Sequence, residues 1–390
     1  MADATGMIPP HIEELRTIAA GVSQTVVREH AEDVDSRARW PAESIRALGD
    51  AGLLGLHVGA DLGGRGEGML ALAVVTEQIG RECGSTGLVY GMHCVGSKVV
   101  AATPTADQVE RFLRPMAAGE HVTSLALAEP GTGVHFYVPG MTYRRDGDEF
   151  VVNGRKAFVT SGGHADSYVV SLVAEGAELD PGTFSCLLLE ADATEGAWGP
   201  PWDGLGMRGN SSRGLQLEET PIPTANLLGS EGDETWFVFE VIAPYFIIAM
   251  AGTYLGIASA ALDEAVAHLR KRTYDHTGER VATADTVAHR VGELWTRVER
   301  SRQLLYHAAR LGDAGDPDAR HALFACKADV ADTAVDVVND AMTLVGGLGY
   351  GRNSRLGRAL RDARASHVMS PTTDLLKTWL GRSLLELPLL

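Results

Sequence analysis

A chain of 390 residues with 45% apolar content is long enough to bury a large core, and 51 Asp and Glu against 34 Lys and Arg give it a formal charge of -17. That balance leaves no basic patch for nucleic acid or an anionic membrane. Cys83, Cys94, Cys186 and Cys326 lie far apart without a CxxC, so neither a disulfide framework nor a metal site is expected, and a reduced, cytoplasmic setting fits. The first residues carry no basic and apolar run of the secretory kind.

From Ile12 to about Lys98 the apolar spacing is helical. Trp40 and Pro41 open a helix whose Ile45, Leu48, Leu53 and Leu54 lead into the Gly-rich stretch GLHVGADLGGRGEGM. With no preceding strand and no GK[ST] ending, that stretch is a tight connection rather than a phosphate cradle. Another helix, Leu70 to Glu82, is followed by GSTGLVYGMHCVGS, a small-residue helix that lets a backbone or a ligand come close. His93 lies within it, either facing a substrate or hydrogen-bonded in the core.

Between Val122 and Gly229 the pattern changes to strands: Val122 to Leu127, Met141 to Arg145, Phe150 to Lys156, Tyr168 to Ala174, Phe184 to Glu190 and Leu215 to Glu219. Asp146, Gly147 and Asp148 suit a hairpin turn. Val241 to Leu262 is free of charge for long enough to span a bilayer, but its Ala, Gly, Pro244, Thr253 and Ser259 fit a helix buried inside a bundle better. Core seams follow at Val287, Val291, Leu294, Val298 and Leu305, and at Val330, Ala334, Val337, Ala341 and Leu344. Ser370, with Pro371 after it and Asp374 close by, reads as a capped helix start. The division expected is a helical domain over 1–121, a β domain over 122–229 and a helical bundle over 230–390.

Three motifs resemble the acyl-CoA dehydrogenase family, and the likeness spans nearly the whole chain. LALAEPGTG is similar to the family's TEPxAGSD segment, NGRKAFVTSGGHADSYVV to its NGxKxWITNGxxAD segment, and GGLGYG…LRDAR to its C-terminal GGxGY and RDAR signature. The resemblance implies a mostly α fold with a central β-barrel-like domain, an N-terminal helical domain and a C-terminal four-helix bundle, assembled as a homotetramer or dimer. It implies FAD between the β domain and the bundle, an acyl thioester substrate carried by CoA or a carrier protein, and an electron acceptor such as an electron-transfer flavoprotein. Carried over by position, Leu127, Ala128, Gly133 and Val134 would line the flavin. Phe158 would stand where the family has a Trp, with Val159 beside it and Thr160 offering its hydroxyl. Arg272 would reach a partner subunit's cofactor. Thr343, Gly346 and Gly347 would contact FAD through the bundle, with Thr372 near the same cofactor.

The chain departs from the family where the chemistry sits. Ser370 occupies the place of the usual catalytic Glu, and a serine hydroxyl is too weak a base unaided. Some relatives carry that Glu on the first bundle helix; Phe246 stands there instead, within reach of a substrate. Replacement bases within the sequence are His367 first, then Asp374, His135 and His93. Three readings follow: a desaturase of an acyl thioester with a non-standard base, a flavin-dependent monooxygenase of the same fold, or a catalytically silent subunit of a hetero-oligomer.

Overall fold

The structure, a computed structural model, describes residues 8–177, 184–232 and 236–389. In the N-terminal part, α1 (Pro10–Val22) runs through a π-helical turn into α2 (Arg28–Ser36), followed by α3 (Ala42–Asp50), α4 (Met69–Gly80) and α5 (Gly84–Ala102). Two short helices, α6 (Ala106–Gln108) and α7 (Arg114–Ala118), lead into the sheet. The strands are β1 (Thr123–Ala126), β2 (Thr142–Asp146), β3 (Glu149–Val159), β4 (Ser167–Ala174), β5 (Ser185–Glu190), β6 (Arg213–Pro223) and β7 (Leu227–Leu228). Five helices complete the chain: α8 (Ala243–Lys271), α9 (Asp285–Asp313), α10 (Ala319–Val345), α11 (Arg355–Val368) and α12 (Thr373–Leu384).

The sheet order is β6-β3-β2-β4-β5-β7, with β1 pairing in parallel on β4. β2 and β3 form the hairpin expected at Asp146, with Gly147 supplying the positive φ its turn needs. β3 continues past Lys156 to Val159, because its pairing with β6 absorbs two bulges, one between Val152 and Gly154 and one between Lys156 and Val159. The side-chain alternation that marks a strand in sequence breaks at such a bulge, so the last residues of β3 were not legible there.

The uncharged stretch from Val241 is the start of α8, and 89% of its apolar window is buried. It lies at the centre of the helical layers, against α4, α5, α9 and α10. Pro244 sits in the first turn of α8, where its missing N–H costs nothing. Close approach explains the small residues. A Cβ on Gly80 would fall 2.2 Å from the Thr253 carbonyl of α8, and one on Gly87 of α5 would fall 2.6 Å from the Thr253 methyl.

One buried ion pair joins the sheet to the loop after β1. Lys156 of β3 is fully buried, and its Nζ donates to Glu129 Oε1 at 2.6 Å, to the Ser171 carbonyl at 2.5 Å and to Ser171 Oγ at 3.1 Å. Glu129 accepts in turn from the N–H of Gly140 at 2.7 Å and of Met141 at 3.1 Å. Removing the cation alone leaves a buried carboxylate without its partner, so Lys156→Ala is expected to lower stability by about 3–5 kcal/mol. Urea unfolding followed by circular dichroism measures this; a loss below about 1 kcal/mol would show that the pair adds no more than a surface contact.

Candidate functional site

The bulge at the end of β3 has a second effect. It turns Phe158 outward at φ 54°, a conformation costly for a bulky residue, and leaves the ring 66% exposed. The ring meets Trp202 edge-on, with centroids 6.0 Å apart. Together they flank a cleft of about 640 Å³, a volume proper to a cofactor or substrate site.

Three walls form the cleft. From the sheet come Leu125, Leu127, Ala128, the Glu129–Gly131 turn, Gly133, Val134, Phe136, Phe158 and Thr160. From the helices come Met92 of α5, and Ile242, Ala243 and Phe246 at the start of α8. The third wall is the end of α11 and the link to α12: Ala365, Val368, Met369, Ser370, Pro371 and Thr372. Gly206, Met207, Asn210 and Ser212 close the gap between β5 and β6. That last loop is held under strain, since Met207 and Ser211 both adopt positive φ on either side of a single 3-10 turn. Its anchor is Asp362 of α11, whose Oδ1 accepts the Met207 N–H at 2.7 Å. Burial pushes this carboxyl up to about 6, the Met207 bond opposing the shift.

Nine of the residues carried over from the family motifs therefore line one space: Leu127, Ala128, Gly133, Val134, Phe158, Thr160, Phe246, Ser370 and Thr372. Val159 does not join them, because strand alternation turns its side chain into the core of the sheet. Arg272 caps the end of α8 in solvent, and Thr343, Gly346 and Gly347 are exposed at the end of α10; none lines the cleft of its own chain.

The expected bases fare differently. His93 is fully buried, with Nε2 2.8 Å from the Leu54 carbonyl and Nδ1 accepting the Thr123 N–H at 3.1 Å. Both nitrogens are used, so His93 ties α5 to β1 instead of facing a substrate. His367 turns from the cleft to Asp332 of α10, Nε2 to Oδ1 3.0 Å, two residues on from the cleft-lining Ala365 and so on roughly the opposite face of α11. Asp374 is exposed in the first turn of α12, and His135 bonds the Tyr137 hydroxyl at 2.7 Å. The helix cap is Thr372, whose hydroxyl accepts the Leu375 N–H, rather than Ser370. Ser370, two residues earlier, is left free of that duty and half-buried in the cleft wall.

Among the described residues lining the cleft, Glu129 is the one titratable side chain, and Lys156 with two backbone N–H groups occupies its oxygens. The remaining lining is apolar apart from hydroxyls and one amide: Thr160 and Ser212, whose oxygens are 3.3 Å apart, Asn210, Ser370 and Thr372. This donor set suits a flavin: a broad apolar slot, an exposed aromatic pair at one side, a hydroxyl beside it, and a glycine turn at Gly131 and Gly133 with positive φ and open space where side chains would stand. Sequence reading missed Trp202, Met207, Asn210, Ser212 and Met92. Trp202 in PPWDGLGM, a large aromatic among turn residues, was the one signal that pointed to a site.

A helical layer, a seven-stranded sheet and a helical bundle meet at this cleft, an arrangement with room for a broad, largely apolar cofactor. Residues 9–120, 124–220 and 248–385 match the models of the N-terminal, middle and C-terminal domains of acyl-CoA dehydrogenase, and the chain belongs to that family. It is 31% identical over 366 residues to the cyclohex-1-ene-1-carbonyl-CoA dehydrogenase of Geobacter metallireducens, covering 93% of this chain and 95% of that one. Its structure is similar to butyryl-CoA dehydrogenase from Megasphaera elsdenii, with TM-score 0.90, 23% identity and 99% of this chain and 100% of that chain covered. A chain solved in work on the electron transferring flavoprotein of Acidaminococcus fermentans matches with TM-score 0.90 and 26% identity over 98% of this chain and 100% of that chain.

The two buried histidines generate a pH dependence. Desolvation holds His93 down at about 4 and His57, buried against Tyr245, down at about 3, against 6.5 in an exposed chain. The unfolded chain therefore binds more protons than the folded one between those values, and stability falls as pH drops through 6.5. From pH 7 to pH 5 each histidine is expected to cost about 2 kcal/mol. Urea unfolding at the two pH values for the native chain and for His93→Gln checks it; the variant's difference should be smaller by about 2 kcal/mol.

Proposed function

We propose that this chain is an FAD-dependent oxidoreductase that desaturates an acyl thioester, on CoA or a carrier protein, whose α-hydrogen is already acidified by an adjoining unsaturated or carbonyl group. The observation that carries the reading is a cleft lined, among the described residues, by no carboxylate or imidazole free of protein partners, with Ser370 at the place of the family's base. FAD, when bound, supplies the two-electron redox chemistry that side chains lack. Leu127, Ala128, Gly133, Val134, Phe158 and Thr160 would hold it, and Phe246 with Met92 would bound the acyl group on the helical side. Ser370 cannot take an unactivated carbon-bound proton. Its hydroxyl can pass a proton from an acidic α-carbon towards solvent, since the residue is half-buried at the cleft wall.

An electron acceptor such as an electron-transfer flavoprotein and assembly as a homo-oligomer complete the proposal. Support for assembly comes from large apolar side chains left in solvent on the bundle: Tyr350 is 80% exposed, Leu348 70% and Trp295 50%. All four cysteines are buried thiols, which suits the cytoplasmic setting we assign.

The test is the visible spectrum of the FAD-loaded chain, followed without oxygen as thioesters are added. Bleaching by thioesters with an activated α-carbon, and not by a simple saturated acyl-CoA, is expected. Ser370→Glu should then extend bleaching to the saturated thioester, with a rate gain on the order of 10²-fold or more, the usual contribution of a positioned base. Flavin that stays oxidised with every thioester but, once reduced, consumes oxygen with a substrate would replace desaturation by oxygenation. Failure to bind FAD at all would leave the silent subunit.

A further inference from the structure

The cleft wall that carries Ser370 is not held by α11 and α12 alone. Behind it stands Lys327 of α10, fully buried, with no carboxylate among its hydrogen-bond partners in the described residues. Its Nζ donates to three backbone carbonyls: Ser366 at 3.2 Å, Met369 at 3.3 Å and Pro371 at 2.7 Å. The first two belong to the last turn of α11 and its C-cap, where carbonyls have no partner within the helix and the helix dipole favours a donor or a cation. The third lies just beyond Ser370, one residue before the cap of α12. The three bonds therefore bracket Ser370 from both sides.

We propose that Lys327 is a positioning residue for the active cleft: by gathering the carbonyls of Ser366, Met369 and Pro371 around one ammonium group it fixes the backbone that presents Ser370. The inference rests on the place of Ser370 in the cleft wall and not on the reaction proposed above, so it survives whichever chemistry the flavin assay returns. Three features single the arrangement out. A buried lysine is costly unless its donors are all used, and here three hydrogens meet three oxygens. Burial pushes the group down to about 7, and with no acidic side chain bonded to it the three carbonyls are what favours its protonated form. And the segment it grips has few other tethers: Met369 Sδ accepts the Tyr254 hydroxyl at 2.9 Å, while the Ser370 hydroxyl makes no bond among the described residues.

The experiment reads the position of residue 370 directly. Ser370→Cys is made in the full chain as purified, and its alkylation by iodoacetamide is timed with Lys327 intact and with Lys327→Met, which keeps the length of the stem and loses every donor. The native cysteines are all buried, and Lys327→Met alone serves as the blank. Ser212→Cys, in the cleft but on the β6 side, reports whether any change is local. Release of the segment is expected to speed alkylation at position 370 by about threefold or more through local opening, while position 212 stays within about twofold. Equal rates at position 370 with and without Lys327, or equal changes at both positions, would overturn the proposal. Should Lys327→Met not reach the native circular dichroism spectrum, Lys327→Gln is read in the same way. If neither variant folds, Lys327 supports the whole bundle and the positioning role is also overturned.

Discussion

A carboxylate and an ammonium group held out of water must satisfy each other, and in this chain that constraint decides where the cleft lies. Glu129 comes from the loop after β1 and Lys156 from β3, and each has a further set of backbone partners: Gly140 and Met141 for the carboxylate, Ser171 for the ammonium. Neither can move without stranding a buried charge. The turn at Pro130 and Gly131 is thereby pinned against β3 just before β3 bulges and turns Phe158 outward. Loop, bulge and aromatic wall follow from one pair whose members carry none of the chemistry.

The same pair explains why the cleft is electrically quiet. A glutamate lies in its wall, and a reading of composition alone would count it as a possible base. Its oxygens are already held by Lys156 and by the N–H groups of Gly140 and Met141, so it is tied into the wall and not aimed at a substrate. What remains is an apolar slot with hydroxyls. Under the reading proposed above, cofactor binding and proton abstraction are separate in this wall: the slot remains where a flavin would lie, while the family's base position holds serine.

How much of this was legible in the sequence depended on how local the determining contact is. The helices and strands came through because apolar spacing is a property of neighbouring residues; the core seams at Leu294, Val298 and Leu305 are buried where the spacing puts them. The bulged end of β3 and the two-residue β7 were lost, since the first breaks alternation and the second is too short to show any. Motif order brought most of the cleft residues to one place. It misled for His93 and His367, because proximity along a chain to a functional residue does not set the direction of a side chain: His93 points to the Leu54 carbonyl and His367 to Asp332. The cap at Thr372 was displaced by two residues to Ser370, both being hydroxyl residues next to a proline.

Asp362 and Met207 show a further kind of information that sequence holds but does not reveal. The aspartate belongs to the RDAR signature, and its motif says nothing of what it does. In the fold it accepts the N–H of a residue 155 positions earlier, at the edge of the cleft, and it sits where burial raises its pKa into the physiological approach. A side chain in a helical signature thus fixes a strained loop between two strands. The loop needs such an anchor because two of its non-glycine residues hold positive φ, a cost recovered only if bonds from outside the loop over-determine its path. Ser85 of α5 supplies another, accepting the Gly209 N–H at 3.1 Å. The wall opposite Ser370 is therefore held by α5 and α11 jointly, so the shape of the cleft depends on the helical layers closing on the sheet as one unit.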